Sequence, residues 1–61
     1  MFVVTDHNQF MVANLKKTGE WRTWTIDRRR ATKLTLSYAR FLAKKCKSKY
    51  KDSTPKVICI L

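Results

Sequence analysis

Residues 28–50, RRRATKLTLSYARFLAKKCKSKY, decide how this chain folds. Advancing by about 100° per residue, the step of an α-helix, Ala39, Ala43, Cys46 and Tyr50 fall in one narrow sector with Leu36 and Leu42 at its flanks. An apolar stripe this broad is what packs a helix onto a sheet. Arg40, Lys44 and Lys47 cluster to one side of it, and Lys45 and Lys49 lie opposite. Thr35 or Ser37 offers a hydroxyl to cap the first turn, and the late lysines suit the negative end of the helix dipole. Asp52, Ser53 and Pro55 stop the run, because proline cannot continue a helix. The spacing predicts one amphipathic helix over 36–50.

Working outward from the helix, the preceding residues read as a small sheet. Residues 2–5 are apolar and β-branched, and Asp6, His7 and Asn8 supply turn chemistry. Residues 9–15 resume as a strand, which gives an opening hairpin. Gly19 is the only glycine and can supply a positive φ in a second turn. Residues 21–26 alternate, so Arg22, Trp24 and Ile26 face one way, towards the helix, and Trp21 the other, unless a bulge intervenes. Residues 27–31 form a single turn capped by Thr25 or Asp27, and residues 32–34 an extended link. Residues 56–61 are almost wholly apolar, which points to a last strand inside the sheet, covered on both faces.

The expected architecture is therefore α+β, in the order β-β-β-α-β, a mainly antiparallel sheet with one helix on one face. It makes a single domain over 1–61, divided into a β meander (1–27), a basic turn and link (28–35), the helix (36–50) and the final strand (56–61).

With 61 residues, the chain buries only about 60% of its unfolded surface, so its core is marginal. Cys46 and Cys59 both sit among core-type residues and read as buried free thiols of a reducing cytoplasm, though a bridge between them is geometrically open. The opening MFVV lacks the basic start of a secretory signal, and no apolar run nears the ~20 residues of a membrane span. The terminal ICIL is not a prenylation box. These features place the chain in the cytoplasm, with Met1 starting a small reading frame.

Charge is the unusual property: 14 Lys and Arg stand against 4 acids, a net +10. In residues 1–27, Lys16, Lys17 and Arg22 balance Asp6, Glu20 and Asp27. The cations of residues 28–56 (Arg28, Arg29, Arg30, Lys33, Arg40, Lys44, Lys45, Lys47, Lys49, Lys51 and Lys56) face Asp52 alone. A neutral scaffold with a cationic half points to a polyanionic partner rather than to solubility, which either sign would serve.

Catalysis has little to draw on. His7 is the only histidine and falls in a turn, the acids are scattered, and one histidine with two cysteines at unrelated spacings is not a zinc site. One glycine makes no phosphate loop. The chain reads as a non-enzyme without metal or cofactor.

Aromatic residues among the cations are the positive signal. Phe41 lies outside the apolar sector, with Lys44 and Lys45 at i+3 and i+4. Exposed, it would stack on a base while the lysines meet phosphates; covered by a wrapping sheet, it would be core. Trp21 is either an outer-face stacking residue or the lid of a second small core. Arg28, Arg29 and Arg30 are either phosphate forks or a solvated run. The candidate nucleic-acid contacts are thus Trp21, Arg28, Arg29, Arg30, Lys33, Arg40, Phe41, Lys44, Lys45 and Lys47.

At TWTIDRRRATKLTLSYARFLAKKC followed by PKVICIL, the sequence resembles the small uncharacterised early and accessory proteins of tailed bacteriophages. The pattern is a hairpin, a tryptophan and aspartate leading into a turn (Trp24, Asp27), an alanine before an extended pair (Ala31, Lys33, Leu34), a helix bearing Ala39, and a last strand. The shared motif is one of packing, so the resemblance implies a setting and not a chemistry. Such products modulate host enzymes or block host defences, and inhibitors of toxin–antitoxin ribonucleases are one group. A looser similarity to the arm-site DNA-binding domains of phage integrases covers a three-stranded sheet followed by a helix; that family reads DNA with its sheet, whereas here the cations gather on and around the helix.

The sequence thus suggests a non-catalytic phage accessory protein that binds nucleic acid, RNA ahead of DNA, in the host cytoplasm. The alternative is an inhibitor that docks its cationic helix in an acidic or nucleic-acid-binding groove of a host protein. Attachment to a membrane surface fits poorly, since the helix mixes its faces. A core this small would also gain from a symmetric partner, a homodimer.

Overall fold

Two consecutive residues of positive φ, His7 (48°) and Asn8 (64°), close the first hairpin. This is the backbone that a two-residue turn needs to match the twist of its strands. The computed structural model describes residues 1–60. Its elements are β1 (Phe2–Asp6), β2 (Gln9–Ala13), β3 (Trp21–Thr25), a 3₁₀ turn (Arg28–Arg30), α1 (Leu36–Lys49) and β4 (Lys56–Cys59). The four strands form one antiparallel sheet in the order β3-β2-β1-β4, with α1 on one face. The molecule is the small α+β domain that the periodicities predict.

Alternation along the strands divides the core in two. Towards α1, Val4, Met11 and Ala13 meet Leu34, Ala39, Leu42 and Cys46, with Phe2, Trp21, Trp24 and Val57 at the margin. Leu42 is fully buried and alone contributes on the order of 2 kcal/mol. On the outer face, Val3, Ala31 and Ile60 pack with Phe10 and Ile58.

The two layers are joined by the chain itself. β1 and β2 pair only next to their turn, at Thr5–Phe10 and Asp6–Gln9. Beyond that, residues 31–34 fill the gap. The Thr32 N–H donates to the Met11 carbonyl (3.3 Å) and the Ala13 N–H to Thr32 Oγ1 (2.9 Å). Phe2 and Leu34 exchange two backbone hydrogen bonds of 2.9 and 2.8 Å. Ala31 thus lies on the outer face and Leu34 on the helix face, with the wedge passing between. It satisfies backbone groups that the splayed strands would otherwise bury unpaired.

At the start of α1, Thr35 is the cap: its Oγ1 accepts from the Tyr38 N–H at 3.3 Å. At the other end, Lys49 is the last helical residue and Tyr50 takes an extended backbone.

Four expectations need correction. Trp21 faces the helix, not the outer side, because the ladder shifts between Val12, which pairs with Thr23, and Ala13, which pairs with Trp21. Such a bulge turns the next side chain over. Ile26 lies past the end of β3 and is 80% exposed instead of turned to the helix. β4 is an edge strand, not an inner one: its two apolar faces are met by α1 and by the outer cluster, not by flanking strands. Cys59, on that edge, is exposed, while Cys46 is buried, and both are free thiols. Leu61 lies outside the described residues.

Candidate nucleic-acid interface

Burying Ala39, Leu42 and Cys46 fixes which side of α1 meets solvent. Arg40, Phe41, Lys44, Lys45, Lys47, Ser48 and Lys49 are all exposed there. Among the described residues none of these cations pairs with a carboxylate; the ion pairs are Asp6 with His7 and Asp27 with Arg29 and Arg30. Asp6 is drawn away by Thr54, whose N–H and hydroxyl both donate to Oδ1 at 3.2 Å.

The aromatic residue at the centre of this side is held by its neighbours. Phe41 stacks on Tyr38, ring centroids 5.9 Å apart and planes 25° from parallel. The Tyr38 hydroxyl in turn accepts from the Gly19 N–H at 2.8 Å, which pins the loop between β2 and β3 against the helix. Gly19 adopts φ 80°, and a Cβ there would meet Lys45 Nζ at 2.8 Å and Phe41 Cε2 at 3.4 Å. So held, Phe41 remains 47% exposed, which settles between the two readings of its environment.

Beside Phe41 runs a groove of about 640 Å³ lined by Phe41, Lys44, Lys45, Ser48 and Lys49. A smaller hollow of about 180 Å³ adjoins it, lined by Gly19, Glu20, Trp21, Lys45 and Lys49. Trp21 meets the Tyr50 ring edge-on at 6.4 Å, and Lys49 Nζ sits 5.8 Å from Trp21 and 5.7 Å from Tyr50, within the range of a cation–π contact. Tyr50 therefore leaves the helical stripe and is 51% exposed.

Lys47 is committed locally. Its ammonium donates to the carbonyls of Ser53 (2.9 Å) and Lys51 (3.3 Å), closing the turn after the helix.

The remaining candidates are elsewhere. The turn bearing Arg28, Arg29 and Arg30 leads into Ala31 on the outer face, across the sheet from α1. Asp27 caps it: its Oδ1 accepts from the Arg29 N–H at 2.9 Å, and its carboxylate lies 3.4 Å from Arg29 Nε and 3.7 Å from Arg30 Nε. Lys33 is exposed on the wedge. The structure thus brings together Trp21, Phe41, Lys44 and Lys45 with Arg40 alongside, and sets the arginine triplet apart. Two contributors were missed. Lys49 shares both hollows, and Tyr38 backs Phe41; its i, i+3 spacing to Phe41 was the available signal.

At the far end of α1, a hollow of about 240 Å³ touches Asp6, His7, Trp24, Cys46 and Ser53. Its polar groups are spent on structure: the buried Cys46 thiol donates to Ser53 Oγ at 3.8 Å, and the Ser53 hydroxyl to the Tyr50 carbonyl at 2.8 Å. Among the described residues no helix is long and apolar enough to cross a membrane. Comparison with protein-family models, curated proteins and solved structures finds no match for this chain.

Proposed function

We propose that this is a non-catalytic accessory protein that binds nucleic acid through the solvent side of α1. The observation that carries the reading is the set of unpaired cations Arg40, Lys44, Lys45 and Lys49 around the half-exposed Phe41. Cations without carboxylate partners are free to displace the counterions of a phosphate chain. The phage setting, with a role in modulating a host or defence process such as a toxin ribonuclease in the host cytoplasm, rests on the sequence resemblance alone.

A second reading, docking on a host protein, draws on the edge of the sheet. β3 is an edge strand, and Ile26, just past its end, is 80% exposed. An unpaired edge beside an exposed apolar side chain suits strand addition by another chain.

Affinity purification from bacterial cells, with and without nuclease, separates the two. Nucleic-acid binding predicts co-purified RNA or DNA and loss of protein partners after nuclease. A protein partner that persists through nuclease treatment favours direct docking on a protein.

A further inference from the structure

The shallow groove on α1 holds a supported, half-exposed aromatic ring that phosphate binding alone does not require. Phe41, Lys44, Lys45, Ser48 and Lys49 border it along one side of α1, and it lies open to solvent. One wall is the Phe41 ring, and three of its lining residues are lysines. Lys44 and Lys45, at i+3 and i+4 from Phe41, rise on the same side of the helix. The ring cannot sink away, because Tyr38 backs it and Gly19 bounds it.

We infer that this groove takes an unpaired strand of RNA, one base lying on Phe41 and its flanking phosphates on Lys44 and Lys45. The inference rests on the nucleic-acid reading above and narrows it. In a duplex the base faces are stacked on one another and out of reach, so a supported aromatic ring has no partner there. An unpaired base offers its π-face to any aromatic side chain. The strand continues past Lys45 and Lys49 towards Trp21 in the adjoining hollow. Glu20 lines that hollow and Ser48 the groove. A carboxylate repels phosphate but accepts a hydrogen bond from a ribose 2′-hydroxyl, and a serine hydroxyl can do the same. These two groups favour RNA over DNA.

The test is fluorescence anisotropy at low salt with labelled single strands of RNA and DNA of about 12 nucleotides and an RNA duplex of equal length. Wild type is compared with Phe41→Ala, and with Phe41→Leu, which keeps an apolar contact on Tyr38 but has no π-face; circular dichroism verifies folding. The expected order is single-stranded RNA, then single-stranded DNA, then duplex. Phe41→Ala should weaken single-strand binding about 5- to 150-fold and Phe41→Leu at least about 5-fold, with duplex affinity unchanged. Equal affinity for strand and duplex, or no effect of either substitution, overturns the stacking inference while leaving nucleic-acid binding in place. Equal affinity for RNA and DNA strands overturns the choice of RNA. Absence of binding to all three probes removes both the inference and the reading beneath it.

Discussion

The backbone N–H of Gly19 donates to the hydroxyl of Tyr38 across 2.8 Å, tying the loop before β3 to the first turn of α1. Gly19 is buried, so losing the acceptor leaves an amide without a partner. Tyr38→Phe should cost about 1–2 kcal/mol, a fall of roughly 4–8 °C in Tm per kcal/mol for a domain of this size. Calorimetry measures it directly. An unchanged Tm would mean that the loop is held by other contacts.

Gly19 itself should resist substitution for a different reason. At φ 80° any L side chain is strained by about 1–2 kcal/mol. The close neighbour, Lys45 Nζ at 2.8 Å, is a flexible tip that can move aside. Gly19→Ala should therefore lower the urea midpoint by the strain alone, and pairing it with Lys45→Ala should not restore it. Recovery in the double variant would assign the cost to the clash instead.

The wedge of residues 31–34 gives a third expectation. Thr32 Oγ1 accepts from the Ala13 N–H at 2.9 Å, at the point where β1 and β2 have parted. Thr32→Val keeps the shape and removes the acceptor, at a cost of about 1–3 kcal/mol. Thr32→Ser should retain most of the stability. Hydrogen exchange at the Ala13 amide is the local readout, with faster exchange expected in the valine variant only.

What could be read before folding was whatever one segment settles on its own. The helix, a cap at Thr35 or Ser37, a turn capped by Thr25 or Asp27 and the His7–Asn8 reversal all follow from neighbours in sequence; the structure chooses Thr35 and Asp27. Trp21 was misplaced because a bulge opposite Ala13 arises from strand pairing and leaves no mark in local alternation. β4 was misplaced for a subtler reason. Its run correctly signals cover on two faces, with Val57 under α1 and Ile58 in the outer cluster. That cover comes from the chain around Ala31 and from the helix, not from flanking strands. The arginine triplet and the helix lysines read as one surface, because nothing local shows that residues 31–34 pass through the sheet between them.

Lys44 and Lys47 separate binding from stability. Lys44 is exposed without an ion pair, whereas Lys47 holds the Ser53 carbonyl at 2.9 Å. Lys44→Ala should leave the Tm unchanged and reduce the salt dependence of single-strand binding by about 0.7 in slope. Lys47→Ala should lower the Tm by a few degrees. The reverse pattern would mean that the turn after α1 does not depend on Lys47.

The salt dependence of binding to single-stranded RNA tests the cationic face of α1 most directly. Four cations without carboxylate partners among the described residues, Arg40, Lys44, Lys45 and Lys49, at about 0.7 per phosphate neutralised, predict that log K falls against log salt with a slope of about −3. Simultaneous replacement of Lys44, Lys45 and Lys49 by alanine should flatten it to about −1, and replacement of Arg28, Arg29 and Arg30 should leave it unchanged. A flat wild-type slope, or a slope that follows the arginine triplet and ignores the helix lysines, would contradict the assignment.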